Sequence, residues 1–257
     1  MPDAAAPILQ THDLTKHFGH VEALRGVDFE AHAGEITALI GDNGAGKSTL
    51  VKILSGVYQP TAGSIVLDGR EVTFNSPAEA HASGIETVYQ DLSVAPDLSP
   101  AANLFMGREV LRPGLLGKLG FLDNATMRRR SAEAFERLRV SLKDMDTPIS
   151  SLSGGQRQSV AICRSILWAK RVVFMDEPTA ALGVVQTART LELIRRIRDT
   201  GVAVVLISHN MRDVLEVADV VEVLRLGRRV ARMRNAGLTV QDLVGAMTGA
   251  LDAELPA

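Results

Sequence analysis

Short apolar runs separated by turn residues characterise the first ninety positions of the chain. Runs rich in strand-forming residues predict strands over residues 8–13, 21–30, 35–40, 64–68 and 85–89. Residues 47–54 have helical character, and turn-forming residues lie at 60–63 and 68–69. Strands and a helix therefore share this part of the chain.

The pattern changes in the middle of the chain and then returns. Between residues 91 and 168 strand signals stop, apolar positions recur at helical spacing around 132–138 and 160–167, and residues 114–120 are the most loop-like. From residue 171 onward, strands are predicted over 171–176, 202–208 and 220–225, with helices over 184–199 and 211–217. This alternation predicts a parallel sheet flanked by helices, in a core of residues 1–90 and 169–257 interrupted by a helical subdomain of residues 91–168.

A glycine-rich stretch lies between the strand ending at 40 and the helix beginning at 47. It reads GDNGAGKS and fits the pattern G-x-x-x-x-G-K-[ST]. Glycines let such a loop close around a phosphate, with backbone N–H groups and a helix N-terminus directed at the anion. Lys47 would reach the β- and γ-phosphates and Ser48 would bind Mg²⁺; the alternative is a glycine-rich turn without a ligand. The predicted contacts are Gly41, Asp42, Asn43, Gly44, Ala45, Gly46, Lys47, Ser48 and Thr49.

Two carboxylates end the apolar strand predicted over residues 171–176. Open parallel sheets present ligand-binding groups at the carboxyl ends of their strands. Asp176 suits the coordination shell of Mg²⁺, and Glu177 could polarise a water for attack on the γ-phosphate. The alternative is an ordinary solvated acidic pair.

A second glycine-rich helix start follows at Ser153, Gly154, Gly155 and Gln156, within the string LSGGQ. The free N–H groups and the positive end of this helix suit a second phosphate-binding surface. A serine N-cap with no ligand is the alternative. One subunit already has a phosphate loop, so the second surface has no evident use within a single nucleotide site.

The order of these motifs resembles that of ABC-type ATPase subunits over essentially the whole chain. Gln90 follows the strand predicted over 85–89, LSGGQ and Asp176-Glu177 come next, and His209 follows the strand over 202–208. Residues 84–92, 103–109, 208–211 and 247–249 look like those of monosaccharide importers for ribose, xylose, galactose or fructose, most of all their short single-cassette members. The resemblance implies an α/β P-loop NTPase core with a mostly parallel sheet, a small antiparallel part and an inserted helical subdomain.

Three further roles come from this resemblance. Gln90 would meet Mg²⁺ or the attacking water and sense a partner, whereas the alternative is a polar strand end. His209 would hold the γ-phosphate and orient Glu177, whereas a lone histidine is more often structural. Phe18 would stack on adenine, and a core phenylalanine is the alternative.

The chain departs from the family pattern at one position after Glu177. Where such ATPases usually carry a string resembling S-A-L-D, this chain reads Ala180-Ala181-Leu182-Gly183. The carboxylate that would communicate between two sites is therefore absent. Some sugar-importer ATPases share this pattern, so activity is still expected.

Length and composition limit the number of cassettes and the partners that fit the chain. A chain of 257 residues holds one cassette, whereas a tandem pair would need about twice that length. A net charge of −2, with 28 basic and 30 acidic residues, gives no excess of basic residues for binding nucleic acid. The single cysteine, Cys163, allows no internal disulfide and suits a reducing cytoplasm. No signal peptide and no apolar run of membrane-spanning length are expected, so a membrane role would require a partner.

The resemblance implies an ATP-hydrolysing subunit on the cytoplasmic face of the inner membrane. It also implies that two copies face head to tail, with Ser153 and Gly155 of one copy meeting the γ-phosphate held by Lys47 of the other. In such a family the dimer would dock on a separate permease, and a sugar-binding protein together with the permease would choose the sugar. The alternatives are a soluble ABC ATPase acting on ribosomes or DNA, and a P-loop kinase, in which LSGGQ would have no role.

Overall fold

The computed structural model describes residues 6–89, 94–142 and 144–250. These residues form two units, each with its own packing. The first unit holds the described residues up to 89, residues 169–178 and those from 194 onward. The second holds the described residues between 94 and 168 together with residues 179–193.

An antiparallel sheet occupies the N-terminal part of the first unit. Its strands lie in the order β2-β1-β4-β5, with β1 at Leu9–Phe18, β2 at Val21–Ala31, β4 at Ala62–Leu67 and β5 at Arg70–Val72. The turn predicted at 68–69 is confirmed, since it joins β4 to β5. The turn predicted over 60–63 is partly wrong, because Ala62 already pairs with Thr15 and β4 starts there.

A six-stranded sheet forms the second layer of the same unit. The strand order is β10-β9-β3-β8-β7-β6, with β3 at Ile36–Ile40, β6 at Ile85–Val88, β7 at Val172–Asp176, β8 at Ala203–Ile207, β9 at Val220–Arg225 and β10 at Arg228–Arg234. All neighbouring pairs are parallel except β9 and β10. Fully buried apolar runs such as those of β3 and β8 are what a parallel sheet covered on both faces requires.

Four helices belong entirely to the described part of the first unit: α1 at Lys47–Leu54, α2 at Pro77–Ala82, α8 at Met211–Val217 and α9 at Val240–Thr248. The predicted bounds of α1 and α8 are confirmed. The core packs side chains from both sheets against α1, among them Phe29, Leu50 and Phe174. Because β3 and α1 are both anchored in this core, the loop between them has fixed ends.

The second unit is helical, as predicted for the middle of the chain. Its helices are α3 at Pro100–Phe105, α4 at Leu115–Lys118, α5 at Asn124–Arg137 and α6 at Gly154–Trp168, with a 3₁₀ turn at Ile149–Ser151. Helix α7, at Val184–Asp199, begins in this unit. The ring of Trp168 packs edge-on against Phe105 at 5.6 Å between centroids, and its Nε1 donates to the carbonyl of Leu104 at 3.0 Å.

The loop predicted over residues 114–120 is wrong in part, because α4 forms a single helical turn there. Backbone bonds close this turn, with Leu119 N donating to Leu115 O at 3.1 Å and Phe121 N to Leu116 O at 3.0 Å. The helical signal is weak in the sequence because the leucines of α4 are exposed rather than set on a buried stripe. Across the described ranges, no helix combines the length and apolarity needed to cross a membrane.

Candidate active site

The phosphate loop joins two buried elements. Strand β3 ends at Ile40, and α1 begins at Lys47 after an N-cap at Gly46 that has no side-chain hydrogen bond to the helix. The first intrahelical bond runs from Leu50 N to Gly46 O at 2.9 Å. The earlier N–H groups of an α-helix have no intrahelical acceptor. They make the start of α1 a natural anion-binding surface.

The two central glycines of the loop serve different purposes. Gly44 has φ of 83°, and a Cβ built on it would meet no atom within 4 Å. Gly46 has φ of 107°, and its Cβ would lie 2.8 Å from the carbonyl oxygen of Ala23. Gly44 therefore leaves the loop open to a ligand, whereas packing alone already requires glycine at position 46.

The turn between β9 and β10 is hydrogen-bonded to the phosphate loop. Gly227 N donates to Ala45 O at 3.0 Å, and Gly227 O accepts from Arg25 N of β2 at 2.8 Å. The side chain of Ala45 is itself buried. Sequence reasoning missed Gly227, because a Leu-Gly pair between two runs predicts a turn but not its partner.

Lys47 lies among oxygen atoms. Its Nζ donates to Gly41 O at 2.6 Å and to Asp42 O at 3.1 Å. Burial lowers the pKa of Lys47 below its ordinary value, while the charges of Glu177, Asp42 and Asp176 act in the opposite direction. Phosphate oxygens would offer the same ammonium stronger, charged acceptors.

Asp176 ends β7, beside Ile207 of β8. Burial, and next to it the charge of Glu177, raises the pKa of Asp176, whereas Lys47 and Lys52 lower it. A divalent cation at this carboxylate would relieve that destabilisation of the charged form. The donor set also fits Mg²⁺, because Ser48 in the first turn of α1 and Asp176 supply only oxygen, and Mg²⁺ is commonly held by one or two protein oxygens plus phosphates.

Glu177 and His209 are in contact, as expected. His209 Nδ1 lies 2.7 Å from Glu177 Oε1, and the backbone N–H of His209 donates to the same oxygen at 3.0 Å. Glu177 has φ of 49°, unusual for a residue with a side chain, and its N–H donates to Ile207 O at 2.9 Å. Such backbone strain costs roughly 1–3 kcal/mol and concentrates at functional sites. No local pattern in the sequence predicts it.

Phe18 lies at the end of β1 and is 42% exposed, which does not fit the alternative of a core phenylalanine. The ring of Tyr58 packs edge-on against it at 5.3 Å between centroids, and Lys16 Nζ lies 5.1 Å from its centroid. This cluster offers an exposed aromatic face to a flat ligand. The sequence predicts the exposed role of Phe18 but not its neighbours Tyr58 and Lys16, because those contacts depend on how β1 packs beside the segment after α1.

The LSGGQ segment, in the second unit, begins α6 at Gly154. Ser153 Oγ accepts from Gln156 N at 3.3 Å, and Gln156 Oε1 accepts from Ser153 N at 3.0 Å. This reciprocal arrangement is a capping box. The two side chains therefore cap the helix themselves, while the N–H groups of Gly154 and Gly155 lie in the first turn, where helix geometry provides no acceptor.

The sequence also marks Gln90, Gly183 and Cys163. Gln90 lies outside the described residues. Gly183 directly precedes α7, and its carbonyl accepts from Thr187 N at 2.9 Å. Cys163 is buried in α6, and burial raises the pKa of its thiol, as expected of a packing residue.

The fold and the phosphate loop define a P-loop nucleotide-binding protein, and comparison with known proteins identifies the family. The sequence profile described as "ABC transporter" matches residues 24–180. The chain is 47% identical to the fructose import ATP-binding protein FrcA of Rhizobium meliloti, with 96% of each chain covered. It is 42% identical to the xylose/arabinose import ATP-binding protein XylG of Sulfolobus acidocaldarius, with 94% of each covered. The chain belongs to the ABC transporter family and is an ATP-binding member of it.

Other comparisons agree on the fold. The ribose import ATP-binding protein RbsA of Yersinia pestis is 41% identical over 95% of this chain, which spans about half of that relative, 46% of its length. A crystal structure of the ADP conformation of an ATP-binding cassette superposes with a TM-score of 0.79 at 25% identity, over 95% of this chain and 96% of that one. A dimeric cassette bound to ADP and Pi gives a TM-score of 0.72 at 22% identity, over 90% and 100%.

Proposed function

We propose that this chain hydrolyses ATP to drive monosaccharide uptake through a separate permease. The observation that carries the proposal is the contact between Glu177 and His209 in the same unit as the phosphate loop. The relatives named for fructose, xylose/arabinose and ribose import favour this function over an ATPase acting on ribosomes or DNA. Which of these sugars is moved would depend on other chains.

The reaction is attack of water on the γ-phosphate, in line with the leaving oxygen. Loop N–H groups and Lys47 hold the β- and γ-phosphates, and Phe18 stacks on adenine. Ser48, Asp176 and Gln90 would hold Mg²⁺, which when bound neutralises charge on the phosphates. The protein otherwise contributes positioning, because phosphoryl transfer needs little covalent chemistry from it.

Glu177 polarises the attacking water in this proposal. Both donors from His209 meet the same carboxylate oxygen, Oε1, so they fix the direction of the carboxylate. The other oxygen, Oε2, is then the one that accepts from the water. The exposed ring of His209 remains able to reach the γ-phosphate through Nε2.

The two helix starts call for two copies of the chain. We infer a head-to-tail dimer in which Ser153 and Gly155 of one copy approach the γ-phosphate bound by Lys47 of the other. The dimer would dock on the permease at the cytoplasmic face of the cell membrane, with a sugar-binding protein on the other side. In this arrangement the nucleotide-binding core is proposed within residues 1–90 and 169–257 and the helical subdomain within residues 91–168, with residues 179–193 packing in the second unit.

Substitution of Glu177 by Gln tests the proposal directly. The change removes the carboxylate but keeps its shape, so ATP should bind with little loss while turnover falls about a hundredfold or more. Turnover would be measured as phosphate release and binding with a fluorescent ATP analogue. Glu71→Gln, on the exposed strand β5, is the matched control and should leave both unchanged. Turnover within a few-fold of the unsubstituted protein would remove Glu177 from this role.

A further inference from the structure

The two glycines of LSGGQ have different surroundings, although they are neighbours in one helical turn. A Cβ built on Gly154 would meet no atom within 4 Å. A Cβ built on Gly155 would lie 2.8 Å from Cγ of Gln186 and 3.3 Å from its Cβ. Real carbon atoms do not approach a Cβ to 2.8 Å, so a side chain at position 155 would force Gln186 to move, whereas one at position 154 would not.

The same glutamine also reaches a second glycine. Gln186 belongs to the first turn of α7, and a Cβ built on Gly183, directly before that helix, would lie 2.8 Å from its Oε1. The stem of Gln186 therefore covers Gly155, while its amide lies where a side chain at position 183 would begin. All three residues belong to the second unit.

We propose that Gln186 is a positioning residue that braces the start of the LSGGQ helix against the segment before α7. Gly155 and Gly183 lack side chains, and Gln186 packs into the space that their side chains would fill. The role rests on the proposed function, because it matters for catalysis only if the N–H groups at the start of α6 meet a phosphate. Gln186 itself is not placed in contact with the nucleotide.

The length of the side chain suits this position. Its three-bond stem is long enough to touch Gly155 and still bring the amide to Gly183. Alanine would remove the Cγ contact with Gly155 and the amide beside Gly183, and it would leave only the Cβ of residue 186, 3.3 Å from a methyl group on residue 155.

A double-mutant cycle between positions 155 and 186 tests the brace. Gly155→Ala forces a methyl group into the stem of Gln186, so kcat should fall about tenfold while the Michaelis constant for ATP, set by the phosphate loop, stays within twofold. Gln186→Ala removes the Cγ that the methyl group would meet at 2.8 Å and leaves the closest remaining contact at 3.3 Å, which a small shift accommodates. The double variant Gly155→Ala with Gln186→Ala should therefore recover at least fivefold in kcat over Gly155→Ala alone.

Two controls make the cycle specific. Gly154→Ala should show no coupling to Gln186→Ala, because nothing lies within 4 Å of its added carbon. Arg189→Ala, at an exposed position one turn further along α7, should not rescue Gly155→Ala. Rescue by Arg189→Ala would mean that any loosening of α7 suffices, and it would overturn the specific contact.

The outcomes separate the brace from the proposed function. If Gly155→Ala hydrolyses ATP no better with Gln186→Ala than without it, glycine is needed there for the phosphate alone and the brace is wrong. If the unsubstituted protein does not hydrolyse ATP, the proposed function fails. The thermal unfolding midpoints of the same four proteins then still test the contact, since purely additive shifts overturn it.

Discussion

The two glycine-rich helix starts of this chain are capped in different ways. Helix α1 follows Gly46, which supplies no side-chain bond to the first turn, whereas α6 is closed by Ser153 and Gln156 in a capping box. A helix end without a cap gains most from a bound anion, because its orphan N–H groups have no other partner in the protein. The start of α1 is therefore specialised for a bound anion. The start of α6 is already capped by its own side chains, so it does not depend on a ligand for its stability.

The two starts also differ in what holds them. Backbone atoms hold the phosphate loop. Gly227 N donates a hydrogen bond to Ala45 O, and the carbonyl oxygen of Ala23 lies beside Gly46. A side chain, that of Gln186, covers the start of α6 at Gly155. A backbone neighbour cannot move without moving a strand, whereas a side chain can change rotamer. The phosphate loop should therefore tolerate less change than LSGGQ.

The largest expected effect comes from disabling each helix start in turn. Lys47→Ala removes the cation of the phosphate loop, and Ser153→Arg places a bulky cation at the other helix start. Each homodimer should lose steady-state hydrolysis, while Ser153→Arg still binds ATP through Lys47. Binding by a fluorescent ATP analogue and phosphate release would separate the two defects. Full hydrolysis by Ser153→Arg alone would show that the LSGGQ helix does not touch the reacting phosphate.

Mixing the two variants sharpens the same comparison. A mixed dimer holds one site with both lesions and one site with two intact halves. Random exchange makes about half of the dimers mixed, so single-turnover hydrolysis should recover to about a quarter of the normal number of sites if the sites act independently. Recovery to that level requires the head-to-tail arrangement. Hydrolysis unchanged on mixing, with subunit exchange demonstrated by a label, would contradict independent sites.

The next largest effect compares two glycines within the phosphate loop. Gly46→Ala combines a strained φ with a contact to the backbone oxygen of Ala23, and should lower the free energy of unfolding by about 3 kcal/mol. Gly44→Ala meets the strained φ alone and should cost about 1 kcal/mol. Urea unfolding of both variants measures the difference. Equal losses would mean that the support by β2 does not hold the loop.

Local sequence patterns predicted the parts of the fold whose signals are local. The bounds of α1, α7 and α8 were predictable because apolar spacing marks them, and Asn210 also caps the start of α8. The sequence did not predict β10, because four arginines occupy this edge strand and hide its alternation. It also did not predict β5, a three-residue edge strand with two charged positions.

The site was predictable in its residues more than in its contacts. The contact between Glu177 and His209 was predictable from motif order, because the two residues follow β7 and β8, which are neighbouring parallel strands. The support of Ala45 by Gly227 joins positions far apart in the chain, and no spacing rule connects them. The contact of Gln186 with Gly155 is of the same kind. The sequence marks the glycine but not the side chain that requires it.

A smaller effect on ATP affinity is expected from Phe18, which is proposed to stack on the adenine base. Phe18→Ala removes the exposed face beside Tyr58 and should cost roughly 1–2 kcal/mol of ATP binding, about a tenfold rise in the Michaelis constant with kcat nearly unchanged. Steady-state kinetics measure both. Phe18→Trp should keep the affinity within a few-fold. A loss of stability with ATP affinity intact would assign Phe18 to packing.

The smallest effect tests whether Ser153 is more than a cap. Ser153→Ala removes the acceptor for Gln156 N and should lower the free energy of unfolding by about 1 kcal/mol. Ser99→Ala removes the equivalent bond to Ala102 N at the start of α3, in the same unit, and should cost a similar amount. Urea unfolding of the two variants therefore gives a matched pair for stability.

Hydrolysis should distinguish these matched variants. If the hydroxyl of Ser153 also donates to a phosphate oxygen, Ser153→Ala should lower kcat about tenfold, the value of one charge-assisted hydrogen bond, whereas Ser99→Ala should leave kcat unchanged. The unfolding data ensure that the two proteins are compared at equal stability. Equal kcat values in the pair would mean that Ser153 only caps α6, and that the N–H groups of the two glycines alone form the second phosphate surface.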